Sequence, residues 1–111
     1  MVTIKLSKFQ IAETKTFEKS KKKIDKKLYE KIKNFVYPQL RENPFYGSNI
    51  KKLKDNLEGY YRYRVGNYRL FYLIEDEKLI VVVVDFRHRQ KAYNWLYNQL
   101  YWQNITLILF N

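Results

Sequence analysis

Residues 60–86 constrain the fold most, because their pattern is typical of antiparallel β-sheet. Two runs rich in tyrosine and apolar side chains are separated by Gly66 and Asn67, and a glycine followed by asparagine favours the two-residue turn of a β-hairpin. A turn of this length pairs Arg64 directly with Arg69 on the next strand. The sequence therefore predicts two strands and also the register between them.

The two-residue repeat of a strand divides the side chains of this hairpin between two faces. One face is predicted to pack on helices and carries Tyr61, Tyr63, Val65, Tyr68, Leu70 and Tyr72. The other face carries Arg62, Arg64, Arg69 and Phe71. Like charges directly opposite each other on two strands are destabilising, so a protein that keeps them usually binds an anion there. The pattern therefore predicts a phosphate site on the arginine face.

The basic residues of the chain are segregated by type. The sequence has 111 residues and a net charge of +11, with fourteen of its sixteen lysines before Asp55 and five of its six arginines after Tyr61. Arginine is a planar fork that binds phosphate through two hydrogen bonds, whereas lysine is a mobile, hydrated point charge. A field of this sign attracts nucleic acid, an anionic membrane or an acidic protein, and charge alone does not choose among them.

Composition excludes several classes of protein. The absence of cysteine excludes a disulfide framework and a thiolate zinc site, and it favours the reducing cytoplasm. The start of the chain does not read as a signal peptide, and the longest apolar run, residues 79–84, is far shorter than the roughly 20 residues that cross a bilayer. We therefore expect a cytoplasmic protein with a single domain over residues 1–111, no membrane partner, no metal and no other cofactor.

The first half of the chain predicts a short strand and two helices. Alternation over residues 2–6 indicates the strand. Thr14 or Thr16 is a suitable cap for a first helix that includes the lysines of residues 21–23, and Asp25 is a suitable cap for a second. Apolar side chains recur in the second helix at steps of three and four residues, namely Leu28, Ile32, Phe35 or Val36, and Leu40.

Pro38 interrupts this second helix, because a proline inside a helix removes one hydrogen bond. The helix is predicted to end at Tyr37 or at about Arg41. Residues 43–49 then form a loop that contains Asn-Pro and Gly-Ser-Asn, and residues 50–53 form an edge strand rich in lysine.

The second half predicts three strands and a helix. The strands are Tyr60–Val65, Tyr68–Glu75 and Leu79–Phe86. The third strand begins with an unbroken apolar run, which is typical of an interior strand buried on both faces. Residues 88–101 can form a helix, and the apolar tail at residues 105–110 adds a strand, covers a groove or mediates contact between copies.

The order of the predicted elements, together with three short motifs, resembles that of the RelE/ParE superfamily of toxins from bacterial type II toxin–antitoxin systems. The resemblance is to the RelE-like branch in particular. The motifs are Leu-Glu-Gly-Tyr-Tyr-Arg at residues 57–62, the hairpin Arg-Val-Gly-Asn-Tyr-Arg at residues 64–69, and His88-Arg89 followed by Tyr93. The resemblance implies an α+β RelE-like fold. In that fold two N-terminal helices pack on a twisted, mostly antiparallel sheet of about four or five strands, and a C-terminal helix follows.

The resemblance also implies a chemistry. RelE-like toxins cleave messenger RNA in the decoding site of the ribosome, without metal, through basic residues and often a tyrosine near the C-terminus. The positions of this chain that match are Arg62, Arg64, Arg69, Arg89 and Tyr93. The closing motif of the family usually reads Gly-His-Arg, and here Arg87 replaces the glycine.

These residue types suit metal-free cleavage of RNA. The reaction deprotonates the ribose 2′-hydroxyl, stabilises a charged phosphorane and protonates the departing 5′-oxygen. Arginines are suited to hold the phosphate, because their pKa is too high for a general base. Proton transfer then falls to His88, to Tyr93 or to a lysine such as Lys52 or Lys54. The further residues predicted to bind RNA are Lys51, Lys52, Lys54, Phe71 and Arg87, with Phe71 as a ring on which a base stacks.

Plainer interpretations and other functions stay open. A strand-face arginine is often only solvated, a histidine at a helix start is often a cap, and Tyr93 is one of eleven tyrosines. A ParE-like inhibitor of DNA gyrase has the same fold and needs no nuclease residues, and a non-catalytic nucleic-acid-binding domain needs only basic and aromatic residues. The resemblance implies a cognate antitoxin as partner, acidic and encoded by the adjacent gene, besides the ribosome and messenger RNA.

Overall fold

A five-stranded mixed sheet, with the N-terminal helices packed on one face, forms the part of the protein that the computed structural model describes, residues 8–92 and 94. The strands are β1 (Gln10–Glu13), β2 (Ile50–Lys52), β3 (Tyr60–Val65), β4 (Tyr68–Glu75) and β5 (Ile80–His88). Their order across the sheet is β1-β5-β4-β3-β2, and β1 runs parallel to β5 while the other neighbours are antiparallel. The predicted α+β class, the mostly antiparallel sheet and the edge position of β2 are confirmed.

The helices begin where the sequence predicts. They are α1 (Lys15–Lys21), α2 (Lys26–Lys31), a π-helical turn (Ile32–Val36) and α3 (Tyr37–Glu42). The Thr14 hydroxyl accepts a hydrogen bond from the Phe17 N–H at 3.1 Å, and the Asp25 carboxylate accepts one from the Lys27 N–H at 3.2 Å. Each bond satisfies an N–H of the first turn that has no partner inside its helix. None of the described helices is long and apolar enough to cross a membrane.

The second helical segment passes Pro38 by way of the π-helical turn. The Tyr37 N–H bonds to the carbonyl of Ile32, five residues earlier, and Pro38 then lies in the first turn of α3, where no N–H is needed. The segment ends at Glu42, so the predicted end near Arg41 is confirmed and a stop at Tyr37 is wrong.

The main core lies between these helices and one face of the sheet. Its buried residues are Phe9, Phe17, Ile32, Val36, Tyr37, Leu40, Tyr63, Val65, Leu70, Tyr72, Val81, Val83 and Phe86. Val36, not Phe35, is the side chain that faces the sheet. The strand β5 is interior as predicted, but among its residues 81–84 only alternate valines are fully buried, so this part is fully covered on one face only.

A smaller apolar cluster covers part of the other face of the sheet. It contains Leu53, Leu57, Phe71 and Ala92. After β5 the Arg89 N–H bonds to the carbonyl of Asn67 in the hairpin turn at 2.8 Å, and residues 89–92 begin a helix that brings Ala92 against Phe71. The predicted strand at residues 2–6, the rest of the predicted C-terminal helix and the tail at residues 105–110 lie outside the described residues.

Two buried tyrosine hydroxyls hold separate parts of the fold together. The Tyr37 hydroxyl donates to the Glu13 carboxylate at 2.7 Å, and the Tyr72 hydroxyl donates to the carbonyl of Pro44 at 2.7 Å. Burial raises the pKa of Tyr37, and its hydrogen bond to Glu13 raises it further. Burial also raises the pKa of Tyr72.

We expect the protein to lose stability as the pH rises above about 10, where tyrosines of the unfolded chain ionise. The folded state keeps the protons of Tyr37 and Tyr72 at this pH, so the unfolded state binds fewer protons and the free energy of unfolding falls by about 1.4 kcal/mol per pH unit for each. When the free energy of unfolding is measured with urea at several pH values above about 10, Tyr37→Phe should show a fall per pH unit that is smaller by about that amount. The control is Tyr46→Phe at an exposed tyrosine, and an equal fall in both variants would contradict the prediction.

Candidate functional site

Three arginines lie side by side on three neighbouring strands. Arg64 of β3 pairs directly with Arg69 of β4, and Arg69 pairs directly with Arg87 of β5. Directly paired residues project from the same face of a sheet, which here is the face opposite the main core. We call these three residues the arginine row. The pairing of Arg64 with Arg69 is the predicted one, whereas the sequence did not predict that Arg87 completes the row.

A β-bulge brings Arg87 into the row. Between Phe71 and Tyr72 the register of β4 against β5 shifts by one residue, since Phe71 pairs with Asp85 and Tyr72 pairs with Val83. Val84 is thus the extra residue of β5, and the bulge reverses the faces of all later residues of the strand. Without it, Asp85 and Arg87 would point towards the main core.

A second line of residues lies beside the row on the same face. Pairing places Lys51 of β2 next to Arg62 of β3, which in turn pairs with Phe71. Arg62 donates from Nη1 to the Asn49 carbonyl at 3.1 Å, and its Nε is buried without a hydrogen-bond partner in the described part of the chain. The loop before β2 therefore fixes the direction of Arg62.

The arginines of the row are held differently from one another. The Arg64 Nη2 lies 3.5 Å from the Asn49 side-chain oxygen, and its backbone N–H bonds to the Asn49 carbonyl at 2.9 Å. The Arg69 Nη1 donates to the carbonyls of Gly66 and Tyr68, at 3.0 Å and 2.9 Å. All these acceptors are neutral, so none of these contacts cancels a positive charge. Asn49 contacts two candidate arginines, and sequence reasoning missed it because nothing in a loop sequence marks such a contact.

Arg87 differs from the other two because it forms an ion pair. Its Nε lies 2.9 Å from the carboxylate of Asp85, which is fully buried. The same carboxylate accepts hydrogen bonds from the Phe86 N–H at 2.7 Å and from the hydroxyl of Ser20 on α1. Asp85 thus aims Arg87 and joins α1 to β5, and it neutralises one of the three charges of the row.

His88 follows Arg87 in β5 but is not part of the arginine row. His88 pairs with Tyr68, so it lies on the face of the main core, where its ring meets the Tyr68 ring edge to face at 5.4 Å. His88 and Arg87 nevertheless line one cavity beside β5, and a role of His88 in proton transfer stays a prediction. Arg89 is exposed next to the hairpin turn, and Tyr93 lies outside the described residues.

The remaining candidates divide between the two faces. Lys51 lies on the arginine face, Lys52 pairs with Tyr61 and lies on the other, and Lys54 is exposed beyond the end of β2. Phe71 is on the predicted face but is fully buried in the smaller cluster. No base can stack on it, so the predicted role of Phe71 is wrong. The residues that cover it are distant in sequence, which is why the strand pattern did not reveal them.

The arrangement is suited to bind a phosphate group. Guanidinium forks from neighbouring strands can donate several charge-assisted hydrogen bonds to one phosphodiester, and they can stabilise additional charge that develops on it. A cavity of about 490 Å³ beside β5 is lined by Arg87 and His88 together with Lys23 and Lys91, two cations that the sequence pattern did not single out. Within the described residues no three His, Asp or Glu side chains come together to hold a metal ion.

Comparison with known proteins identifies the family of the chain. A family model described as the ParE toxin of type II toxin–antitoxin systems, parDE, matches residues 11–93. No curated protein matches the chain.

Several solved structures have the same fold. A chain of the RelBE2 toxin–antitoxin complex from Mycobacterium tuberculosis is 28% identical, with a TM-score of 0.65 over 73% of this chain and 98% of that one. A chain of the RelB–RelE complex from Methanococcus jannaschii is 27% identical, with a TM-score of 0.61 over 76% and 96%. A chain of the YoeB–YefM complex from Staphylococcus aureus is 27% identical, with a TM-score of 0.56 over 72% and 95%. The resemblance inferred from the sequence motifs is confirmed: the chain belongs to the ParE toxin family of type II toxin–antitoxin systems, within the RelE/ParE superfamily.

Proposed function

We propose that this toxin is a ribosome-dependent, metal-independent endoribonuclease that cleaves messenger RNA. The observation that carries the proposal is the arginine row, in which three arginines are direct cross-strand partners on three neighbouring strands. Like charges in direct cross-strand contact oppose folding, and a bound polyanion removes that cost. A phosphodiester of RNA can accept two hydrogen bonds from a guanidinium fork, and its negative charge is complementary to the net charge of +11 of the chain.

The reaction requires no group beyond the RNA and the protein. The 2′-oxygen attacks phosphorus as its proton leaves, the bond to the 5′-oxygen breaks, and that oxygen takes up a proton, which leaves a 2′,3′-cyclic phosphate and a 5′-hydroxyl. Arg64, Arg69 and Arg87 would bind the non-bridging oxygens and stabilise the phosphorane, with Arg62 and Arg89 as further phosphate contacts. One well-placed donor of this kind is worth about 10²–10³ in rate.

Proton transfer is assigned to residues other than His88. Tyr93 keeps the role that the family motif implies, and Lys51 is the lysine that shares a face with Arg62. Lys52 and Lys54 become contacts to the RNA backbone, and Phe71 has no part in binding. His88 is better explained by its packing against Tyr68.

The proposal predicts cleavage of messenger RNA only when ribosomes are present. Primer extension on messenger RNA in a translating extract should show new 5′ ends with the wild-type toxin, and none in the same extract without ribosomes. Tyr93→Phe should lose cleavage by about 10² or more, whereas His88→Gln should cleave at the wild-type rate. Cleavage that is equal in both variants would contradict the assignment of the proton-transfer groups.

An inhibitor of DNA gyrase is the second candidate function. The observation that favours it is the family match itself, since that model describes ParE toxins. A supercoiling assay run beside the primer extension separates the two functions: loss of supercoiling without new RNA ends supports the gyrase inhibitor. If neither activity is seen, the third alternative, a non-catalytic nucleic-acid-binding domain, is supported.

A cognate antitoxin is part of the same proposal. Similar chains were solved in complexes of RelE with RelB and of YoeB with YefM. We propose that the adjacent gene encodes an antitoxin for this chain, and that it is acidic because the toxin surface carries a charge of +11. Addition of that protein to the translating extract should remove the cleavage.

A further inference from the structure

Phe35 is the apolar side chain whose exposure calls for an explanation, because 70% of it is accessible to solvent. It belongs to the π-helical turn, in which Ile32 and Val36 stay buried against the sheet. The turn is wider than an α-helical one, so the residue three positions after Ile32 is rotated farther from the sheet. Such turns inside helices are found frequently at functional sites.

The Phe35 ring lines a groove of about 310 Å³ between the π-helical turn and the β3–β4 hairpin. Lys31, Asn49, Arg64 and Gly66 also line this Phe35 groove. Strand β2 covers β3 only as far as Tyr63, so Arg64 lies just beyond the covered edge. Arg64 therefore belongs both to the arginine row and to the groove, and it connects the two surfaces.

Charge identifies the kind of ligand that fits the Phe35 groove. Lys31 and Arg64 lie on its walls, and the ion pairs found among the described residues involve neither of them. A purely apolar partner would leave both cations without a counter-charge, whereas a nucleotide supplies a phosphate for the cations and a base for the ring. Aromatic rings between cationic groups are the usual platform for single-stranded nucleic acid.

We propose that Phe35 stacks on one base of the bound RNA, while Lys31 and Arg64 hold the phosphates next to it. The strand then continues from the arginine row, where it is cut, into the Phe35 groove, where one nucleotide is recognised by its base. This inference rests on the proposed function in that RNA is the ligand. It assigns to Phe35 the stacking role that sequence analysis gave to the buried Phe71.

The test measures binding separately from cleavage. A fluorescently labelled single-stranded 2′-O-methyl RNA oligonucleotide cannot be cut, because its 2′-oxygens are blocked, and its affinity is read by fluorescence anisotropy. Phe35→Ala should bind about tenfold more weakly, because it loses the stacking of one base, and Phe35→Trp should bind as the wild type does. An oligonucleotide without bases should bind the wild type and Phe35→Ala equally.

Tyr46→Ala is the matched control, because Tyr46 is 79% exposed but does not line the groove. Its affinity should equal that of the wild type, and thermal unfolding should show that both variants fold. Wild-type affinity in Phe35→Ala, the same loss with and without bases, or no binding of RNA by the wild type would each overturn the inference. Base-dependent loss in Phe35→Ala together with no cleavage by the wild type would support the groove and reject only the nuclease.

Discussion

Replacement of Arg64 by glutamine is expected to reduce ribosome-dependent cleavage by about 10²–10³, without loss of stability. Arg64 is one of the donors proposed to stabilise the phosphorane, and it is the direct cross-strand partner of Arg69. Removal of one of two opposed charges should stabilise the sheet by roughly 0.2–1 kcal/mol. This gain offsets the absence of the weak hydrogen bond from the Arg64 Nη2 to Asn49, which is 3.5 Å long. Cleavage is measured by primer extension at saturating ribosome concentration, and stability by urea unfolding.

Arg41→Gln is the control for this substitution. Arg41 is the one arginine of the chain before Tyr61, lies in α3 and is not part of the row. This substitution should leave cleavage unchanged, because Arg41 lies outside the proposed site. If Arg64→Gln cleaves RNA at the wild-type rate, the arginine row is not part of the catalytic site. If Arg64→Gln is clearly less stable than the wild type, the row has a structural role.

The geometry of the hairpin could be predicted from sequence because it depends on local rules. A two-residue turn at Gly66 and Asn67 permits one register, and in the structure Gly66 has a φ of 59°, a value that glycine adopts at no steric cost. That register pairs Arg64 with Arg69 and Arg62 with Phe71, as the sequence predicts. The helix caps at Thr14 and Asp25 follow from equally local bonds.

The position of the β-bulge could not be predicted in the same way. The bulged residue, Val84, ends a run of four valines, and a valine packs acceptably on either face of a sheet. Nothing in such a run indicates where the register shifts, although the shift decides the face of every later residue. Because of this shift, Arg87 pairs with Arg69 on the arginine face, and His88 pairs with Tyr68 on the face of the main core.

The exchange of roles between Phe35 and Phe71 also depends on tertiary structure. Strand alternation correctly placed Phe71 on the arginine face, but Leu53, Leu57 and Ala92 come from other segments to cover it. Helical periodicity left Phe35 and Val36 as equal candidates for the core, and the π-helical turn selects Val36. Burial by distant residues and a local change of helical pitch are both absent from a pattern of residue types.

Substitution of Asp85 by alanine is expected to destabilise the fold by about 3 kcal/mol, as is typical when one partner of a buried charged network is removed. The carboxylate accepts from Ser20, from the Phe86 N–H and from Arg87, so its removal leaves a buried N–H without an acceptor and removes one hydrogen bond between α1 and β5. Asp85→Asn keeps an oxygen for Ser20 and Phe86 and should be destabilised less. Urea unfolding measures both variants, and Asp76→Ala in the exposed β4–β5 turn is the control, with a change near zero.

The effect of phosphate on stability tests whether Asp85 also sets the charge of the arginine row. Without the Asp85 carboxylate, Arg87 loses the negative charge of this ion pair, and the net positive charge at the arginine row increases. A bound phosphate ion would then take the place of the carboxylate, and a ligand that binds only the folded state stabilises it. Added phosphate should therefore raise the unfolding free energy of Asp85→Ala more than that of the wild type, while chloride at equal ionic strength should not. Equal effects of phosphate on both proteins would mean that Asp85 supports the fold without shaping the charge of the row.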